Sequence, residues 1–232
     1  MGVLKPLHET VSLEKLAYDR IKDAILTFGF MPNQALVEGD LALQLGISKT
    51  PVRDALMRLE REGLVSRIPF KGTYVSDINN QDMADIYTIR AVLEGLAIRL
   101  ATEFITPEEI ERLDELTEEH AVALSQRDFS GVAKINAEFH RIILHKCHNQ
   151  RLINNLEDLD DLLKRYRLLS IVQGVRLEKS VPEHKAIVAA LKERNPLKAE
   201  IAMKEHLQSA MRDLYKQDFS ELELLVSKLV NK

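Results

Sequence analysis

Ser48, Lys49, Thr50 and Arg53 place two hydroxyls, an ammonium and a guanidinium close together, just after Gly46. Hydroxyls bond phosphates and base edges, and a guanidinium forks onto guanine. Further along, Asn136 and His140 stand one helical turn apart on one face, where two ligands of a single ion would stand. His184 and His206 could join them only through folding, and alone each histidine is more often a surface or hydrogen-bonded core residue. Arg90 lies in the apolar run T-I-R-A-V-L-E-G-L-A-I-R-L. A guanidinium buried there needs an anion, either Glu94 four residues on or a bound carboxylate. His145-Lys146-Cys147-His148 has metal-like spacing but falls at a helix end beside Asn149.

These groups need elements to hold them. Leu41, Ala42 and Leu45 give a short helix an apolar face, Gly46 breaks it, and Ser48 or Thr50 can cap a second helix. Pro51 falls in its first turn, where the missing N–H is not needed. Val52, Ala55, Leu56, Leu59 and Leu64 follow a helical period inward, leaving Lys49, Arg53, Arg58 and Arg61 outside. Two β-type runs follow, Leu64–Ile68 and Thr73–Val75, joined by Pro69-Phe70-Lys71-Gly72, with Gly72 permitting the turn and Lys71 at its tip. A buried apolar stripe with a basic, hydroxyl-rich N-terminal end suits a reader of the major groove, and a basic hairpin after it makes a winged helix-turn-helix. An ordinary surface helix pair would share the first part of this pattern.

Beyond Ser76-Asp77-Ile78 the periodicity is helical throughout. Asn79 or Asn80 can cap a segment running through Ile105, with Met83, Ile86, Ile89, Leu93, Leu96 and Leu100 on its inner face. Thr106-Pro107-Glu108-Glu109 starts the next helix, to about Gln126. Further helices are expected at about 129–147, 150–170, 181–194 and 196–218, and a short one at 220–230. The fold class is therefore mostly α: three helices with a small β-hairpin wing in residues 1–78, then an all-helical bundle in 79–232.

Composition sets the bounds. The chain has 232 residues, 45% hydrophobic and 29% charged, which is globular and large enough for one or two cores. Cys147 is the one cysteine, so no intrachain disulfide can form; with no signal-peptide core in M-G-V-L-K-P-L-H-E, a cytoplasmic location is expected. The net charge of −4 does not argue against DNA, because Lys49, Arg53, Arg58, Arg61, Arg67 and Lys71 outnumber Asp54, Glu60 and Glu62 between Gly46 and Val75. Phosphate attraction is short-ranged in salt, so a local basic face suffices. Trp is absent and aromatics are few, which disfavours base stacking on single strands.

The run L-G-I-S-K-T-P-V-R-D-A-L-x-R-L-x-x-E-G-L-V followed by K-G-T-Y-V resembles the DNA-binding domain of GntR-family bacterial transcription regulators, over about Ser12–Val75. The rest is similar to the helical effector domain of the FadR-type branch, the FCD domain. That likeness spans about 79–218 and rests on Tyr87-x-x-Arg90-x-x-x-Glu94, Asn136-x-x-x-His140, His184 and His206. The resemblance implies a homodimer on a short palindromic operator, with effector binding in the helical domain shifting the DNA-bound population, most often as a repressor. Operator contacts are expected from Ser48, Lys49, Thr50 and Arg53, with Lys71, Gly72 and Thr73 at the wing; Arg58 and Arg61 read as solvated charges. Gly39 stands where relatives often have a basic residue, so one backbone contact is expected to be missing.

Metal-bearing members hold a divalent ion with three histidines and an aspartate, at positions matching His140, His184, His206 and Asn136. Asn136 brings no charge, so a Zn, Ni or Mn ion held here would favour a small anionic effector, with Arg90 to receive it. Two rivals stand beside this reading. One is a metal-free pocket for a lipid-type ligand such as acyl-CoA, which the histidine trio disfavours. The other is a metal-dependent enzyme, for which only Glu138 and Glu183 lie within a turn of the histidines as a general base; a regulator and no enzyme is expected.

Overall fold

The computed structural model describes residues 12–172, 177–216 and 226, and the chain divides into two compact units, Met1–Asp77 and Ile78–Lys232. In the first, Ser12 caps α1 (Leu13–Leu26) by accepting from the Lys15 N–H. Helix α2 (Glu38–Leu45) ends at Gly46, whose φ of 67° is the left-handed stop that favours glycine. Helix α3 (Lys49–Arg61) buries Val52, Ala55, Leu56 and Leu59 against Ala17, Ile21 and Ile25 of α1. The strands β1 (Val65–Ile68) and β2 (Gly72–Val75) pair antiparallel, Val65 opposite Val75 and Ile68 opposite Gly72.

Charged groups also lock α1 to α3. The Tyr18 hydroxyl donates to Glu62, Lys22 pairs with Glu62 at 2.9 Å, and the Arg58 guanidinium lies 3.7 Å from the Tyr18 ring centre. Arg58 is therefore a half-buried packing residue and not the solvated charge expected of it; α1 covers that face of α3, which spacing along α3 alone cannot reveal.

The second unit is a bundle of α4 (Asn80–Ala101), α5 (Pro107–Ser125), α6 (Phe129–Lys146), α7 (Gln150–Val172), α8 (Leu177–Lys192) and α9 (Pro196–Tyr215). Helix α4 packs against α6, α7 and α9, while α5 packs against α6 and α8. Asn79 caps α4 through the Asp82 N–H, and Thr106 and Glu109 form a reciprocal capping box on α5. Helix α8 begins at Leu177, about a turn before the expected start near 181, so Pro182 lies well inside it. The inner face of α4 also departs from expectation. Ile89 and Leu96 are exposed with Val92 on an outward apolar stripe, and Tyr87, Arg90, Ala91, Glu94 and Ala97 are buried instead. No helix among the described residues is long and apolar enough to cross a membrane, and the expected helix at 220–230 lies outside them but for Val226.

Candidate metal centre and nucleic-acid interface

Three helices each deliver one histidine to a common point: His140 from α6, His184 from α8 and His206 from α9. One nitrogen of each lies within 4.8 Å of the others, and His184 and His206 are buried. The Phe139 ring stacks on His184 at 4.3 Å between centres, fixing the plane of that imidazole.

Two of the rings are oriented from behind. His140 Nδ1 lies 2.9 Å from Glu94 Oε2, and His206 Nδ1 lies 2.8 Å from Glu183 Oε2. An ionised carboxylate only accepts, so each Nδ1 carries the hydrogen, which leaves Nε2 as the nitrogen each ring could offer to a cation. Burial pushes the Glu94 carboxyl up, but Arg90 and then His140 outweigh it and hold it well below the ordinary carboxylate range. Glu94, itself paired with Arg90, and Glu183 thus stand one ring removed from the trio. Sequence spacing pairs Glu94 with Arg90 and does not reveal this second role.

Imidazoles with an amide oxygen suit a borderline ion such as Zn or Ni better than the harder Mn, Ca or Mg, which favour oxygen ligands. Asn136 stands half-buried on α6, one turn before His140. His120 of α5 adds a fourth imidazole beside the trio, its ring 5.4 Å from that of His184 and its Nε2 3.3 Å from the Ser180 hydroxyl. Burial, then the nearby His140, push the His120 pKa down to about 4, so its ring is neutral at pH 7. Sequence reasoning missed His120, because nothing in α5 sets it apart from a surface histidine. The run His145-Lys146-Cys147-His148 does not gather. Cys147 is buried, His145 is exposed toward Glu157, and His148 lies against Phe104.

A cavity of about 450 Å³ opens beside His140, lined by α4, α6 and α7 with Met203 of α9. Arg90 is buried in its wall and forms an ion pair with Glu94 and a second, at 3.6 Å, with Asp160. Asp160 also pairs with Arg167 at 2.7 Å. Arg90 thus has its internal carboxylates, yet among the described residues its Nε has no hydrogen-bond partner. An anion in the cavity would compete for a guanidinium already in use.

In the first unit, Ser48 occupies the N-cap position of α3 without a side-chain capping bond, so its hydroxyl is free of that role. Ser48, Lys49, Thr50 and Arg53 are all exposed. The Arg53 guanidinium forks onto Glu38 of α2, with Nη2 2.8 Å from Oε2, which holds it extended on the surface. Lys49 lies over Gly39, its Nζ 3.6 Å from where a β-carbon would stand, an ordinary contact that puts a cation beside the position where relatives often have a basic residue. At the wing, Lys71 and Gly72 are exposed; Thr73 is buried, because alternation along β2 turns it inward with Val75.

Comparison with known proteins bears on both units. Residues 13–75 match the bacterial regulatory proteins of the gntR family, and residues 85–209 match the FCD domain. YdhC, an uncharacterized HTH-type transcriptional regulator of Bacillus subtilis (strain 168), is 30% identical over 77% of this chain and 80% of its own. The HTH-type transcriptional regulator McbR of Escherichia coli (strain K12) is 28% identical over 89% of this chain and 95% of its own. The solved structure of E. coli McbR/YncC superposes with a TM-score of 0.72, covering 90% of this chain and 99% of that one at 28% identity. A GntR regulator from Rhodococcus sp. RHA1, at 19% identity and a TM-score of 0.66 over 87% of this chain and 96% of that one, shares the fold.

Proposed function

The chain belongs to the gntR family of bacterial DNA-binding transcriptional regulators and carries an FCD domain, and from that premise we propose how it works: as a homodimer on a short palindromic operator, repressing a metabolic operon under the control of a small carboxylic acid bound at or near a divalent metal ion. The observation that carries the effector reading is the His140–His184–His206 cluster, backed by Glu94 and Glu183 and bordering a cavity with Arg90 in its wall. Those three imidazoles and the Asn136 amide would hold the ion, which when bound supplies a positive centre for a carboxylate. Arg90 Nε would bond the same anion, and Phe139 keeps His184 in plane. The cavity wall is partly apolar, with Ile143, Leu144, Leu156 and Met203, but the buried Arg90 in it favours an anionic group over an acyl chain alone.

Duplex recognition is assigned to Ser48, Lys49, Thr50 and Arg53 at the exposed start of α3, with Lys71 and Gly72 at the wing. One recognition helix reads too few base pairs for specificity in a genome, and two on a two-fold axis read a palindrome. The apolar stripe of Ile89, Val92 and Leu96 on α4 is the surface that a second copy would cover.

The test has two arms. A duplex selected from a random library by the full-length protein is titrated in a gel shift with wild type and Arg53→Ala. Specific binding is expected to vanish in the variant while circular dichroism is unchanged, and equal affinity would overturn the interface. Metal analysis of the purified protein, followed by titration with Zn²⁺, Ni²⁺ and Mn²⁺, tests the centre; no uptake of any of the three would remove it.

A further inference from the structure

Phe70 stands at the tip of the wing with its side chain wholly in solvent, at a relative exposure of 109%. Among the described residues no other large apolar side chain is so exposed. Its backbone is as unusual as its exposure. The Lys71 N–H donates to the Ile68 carbonyl at 3.0 Å, closing a turn with Pro69 second and Phe70 third. Phe70 has φ 65°, the left-handed value that this third place requires and that glycine or asparagine usually supplies. A bulky aromatic there is held in a disfavoured backbone and buries nothing in return. Folding gains nothing from it, and a strained residue of this kind points to a partner.

The surroundings say what that partner is. No acidic residue occurs between Gly63 and Ser76, while Arg67 and Lys71 flank the tip and Ile68 beside it is 40% exposed. Cations around an apolar projection match a polyanion with apolar crevices, which describes the stacked bases of duplex DNA between their phosphates. Apolar side chains at such positions enter the minor groove, part a base step and kink the helix. We propose that Phe70 is a wedge of this kind: it enters the minor groove beside each half-site and partly unstacks one base step, while Lys71 and Arg67 hold the adjacent phosphates. Flexible pyrimidine–purine steps yield most easily, so Phe70 adds sequence preference at positions no side chain reads by hydrogen bonding. This rests on the DNA-binding reading above.

The experiment uses the full-length protein and a duplex selected from a random library by the wild type, with 2-aminopurine placed along the flanks of each half-site. Phe70→Gly is the informative variant, because glycine takes φ 65° without strain and the variant should fold at least as stably as the wild type. Wild type should raise 2-aminopurine fluorescence at one flanking step and bend circularly permuted fragments. Phe70→Gly should lose both signals and bind about tenfold or more weakly. Phe70→Leu should keep most of each, whereas Lys71→Ala should weaken binding and lower its salt dependence but retain the fluorescence change. Phe70→Gly binding within twofold of wild type, or no fluorescence change with wild type, overturns the wedge and leaves the DNA-binding reading standing. If wild type selects no duplex, or Arg53→Ala binds as well as wild type, both readings fall together.

Discussion

Glu94 connects two charges that would otherwise belong to separate sites. One of its oxygens meets Arg90 in the cavity wall and the other holds His140, so an anion drawing on Arg90 would also act on the carboxylate that orients the His140 ring. Glu183 orients His206 in the same way, through its Oε2 at 2.8 Å from Nδ1. Removing such a partner typically lowers metal affinity about 10–100-fold. Glu183→Gln is expected to show that loss for Zn²⁺ by calorimetry, and unchanged affinity would mean that His206 does not bind the ion. Asn136→Asp should move the other way, tightening binding by about tenfold, or roughly 1.4 kcal/mol, since it adds a charge and an anionic oxygen. No change would show that the amide does not reach the metal.

At the scale of elements, the second unit depends on helix starts that leave no ambiguity about register. The Thr106 hydroxyl accepts from the Glu109 N–H and the Glu109 carboxylate accepts from the Thr106 N–H, while Lys146 of α6 pairs with Glu109 at 2.7 Å. One small box thus fixes both the start of α5 and its alignment with α6, the helix that carries Asn136 and His140. Thr106→Ala should lower unfolding free energy by about 1 kcal/mol in urea denaturation. A loss under a few tenths would mean that tertiary packing alone sets where α5 begins. These boundaries are legible in the sequence because caps act within three or four residues. The inner face of α4 is not, because its residues are apolar on nearly every side and periodicity cannot say which of them a neighbouring helix will cover.

For the whole molecule, the outward stripe on α4 is the surface through which the proposed dimer would form. Ile89, Val92 and Leu96 are 50%, 60% and 39% exposed at helical spacing, an apolar surface that the described residues leave largely open. A two-fold axis would set the stripe against its own copy, burying both. The wild type is then expected to sediment at about twice the 26.4 kDa chain mass, and Val92→Glu, which would place two like charges in that contact, should sediment as the single chain and lose affinity for a palindromic duplex. A dimer that survives Val92→Glu would move the interface elsewhere.

What the sequence by itself determined is local: that helices start at Asn79 or Asn80, at Thr106 and near 196, that Gly46 stops one, and that the start of α3 would be basic, hydroxyl-rich and exposed. Each depends on bonds or spacings within a turn or two, so the order of residues is enough. Tertiary structure alone decided that histidines from α6, α8 and α9 converge, that Glu94 and Glu183 stand behind two of them, and that His120 lies against the cluster. It also decided that α1 turns Arg58 into a packing residue and that Phe70, two residues before Gly72, takes a left-handed backbone at the wing tip. Those outcomes depend on which surfaces meet in three dimensions, and contact between segments far apart along a chain leaves no periodic mark within either one.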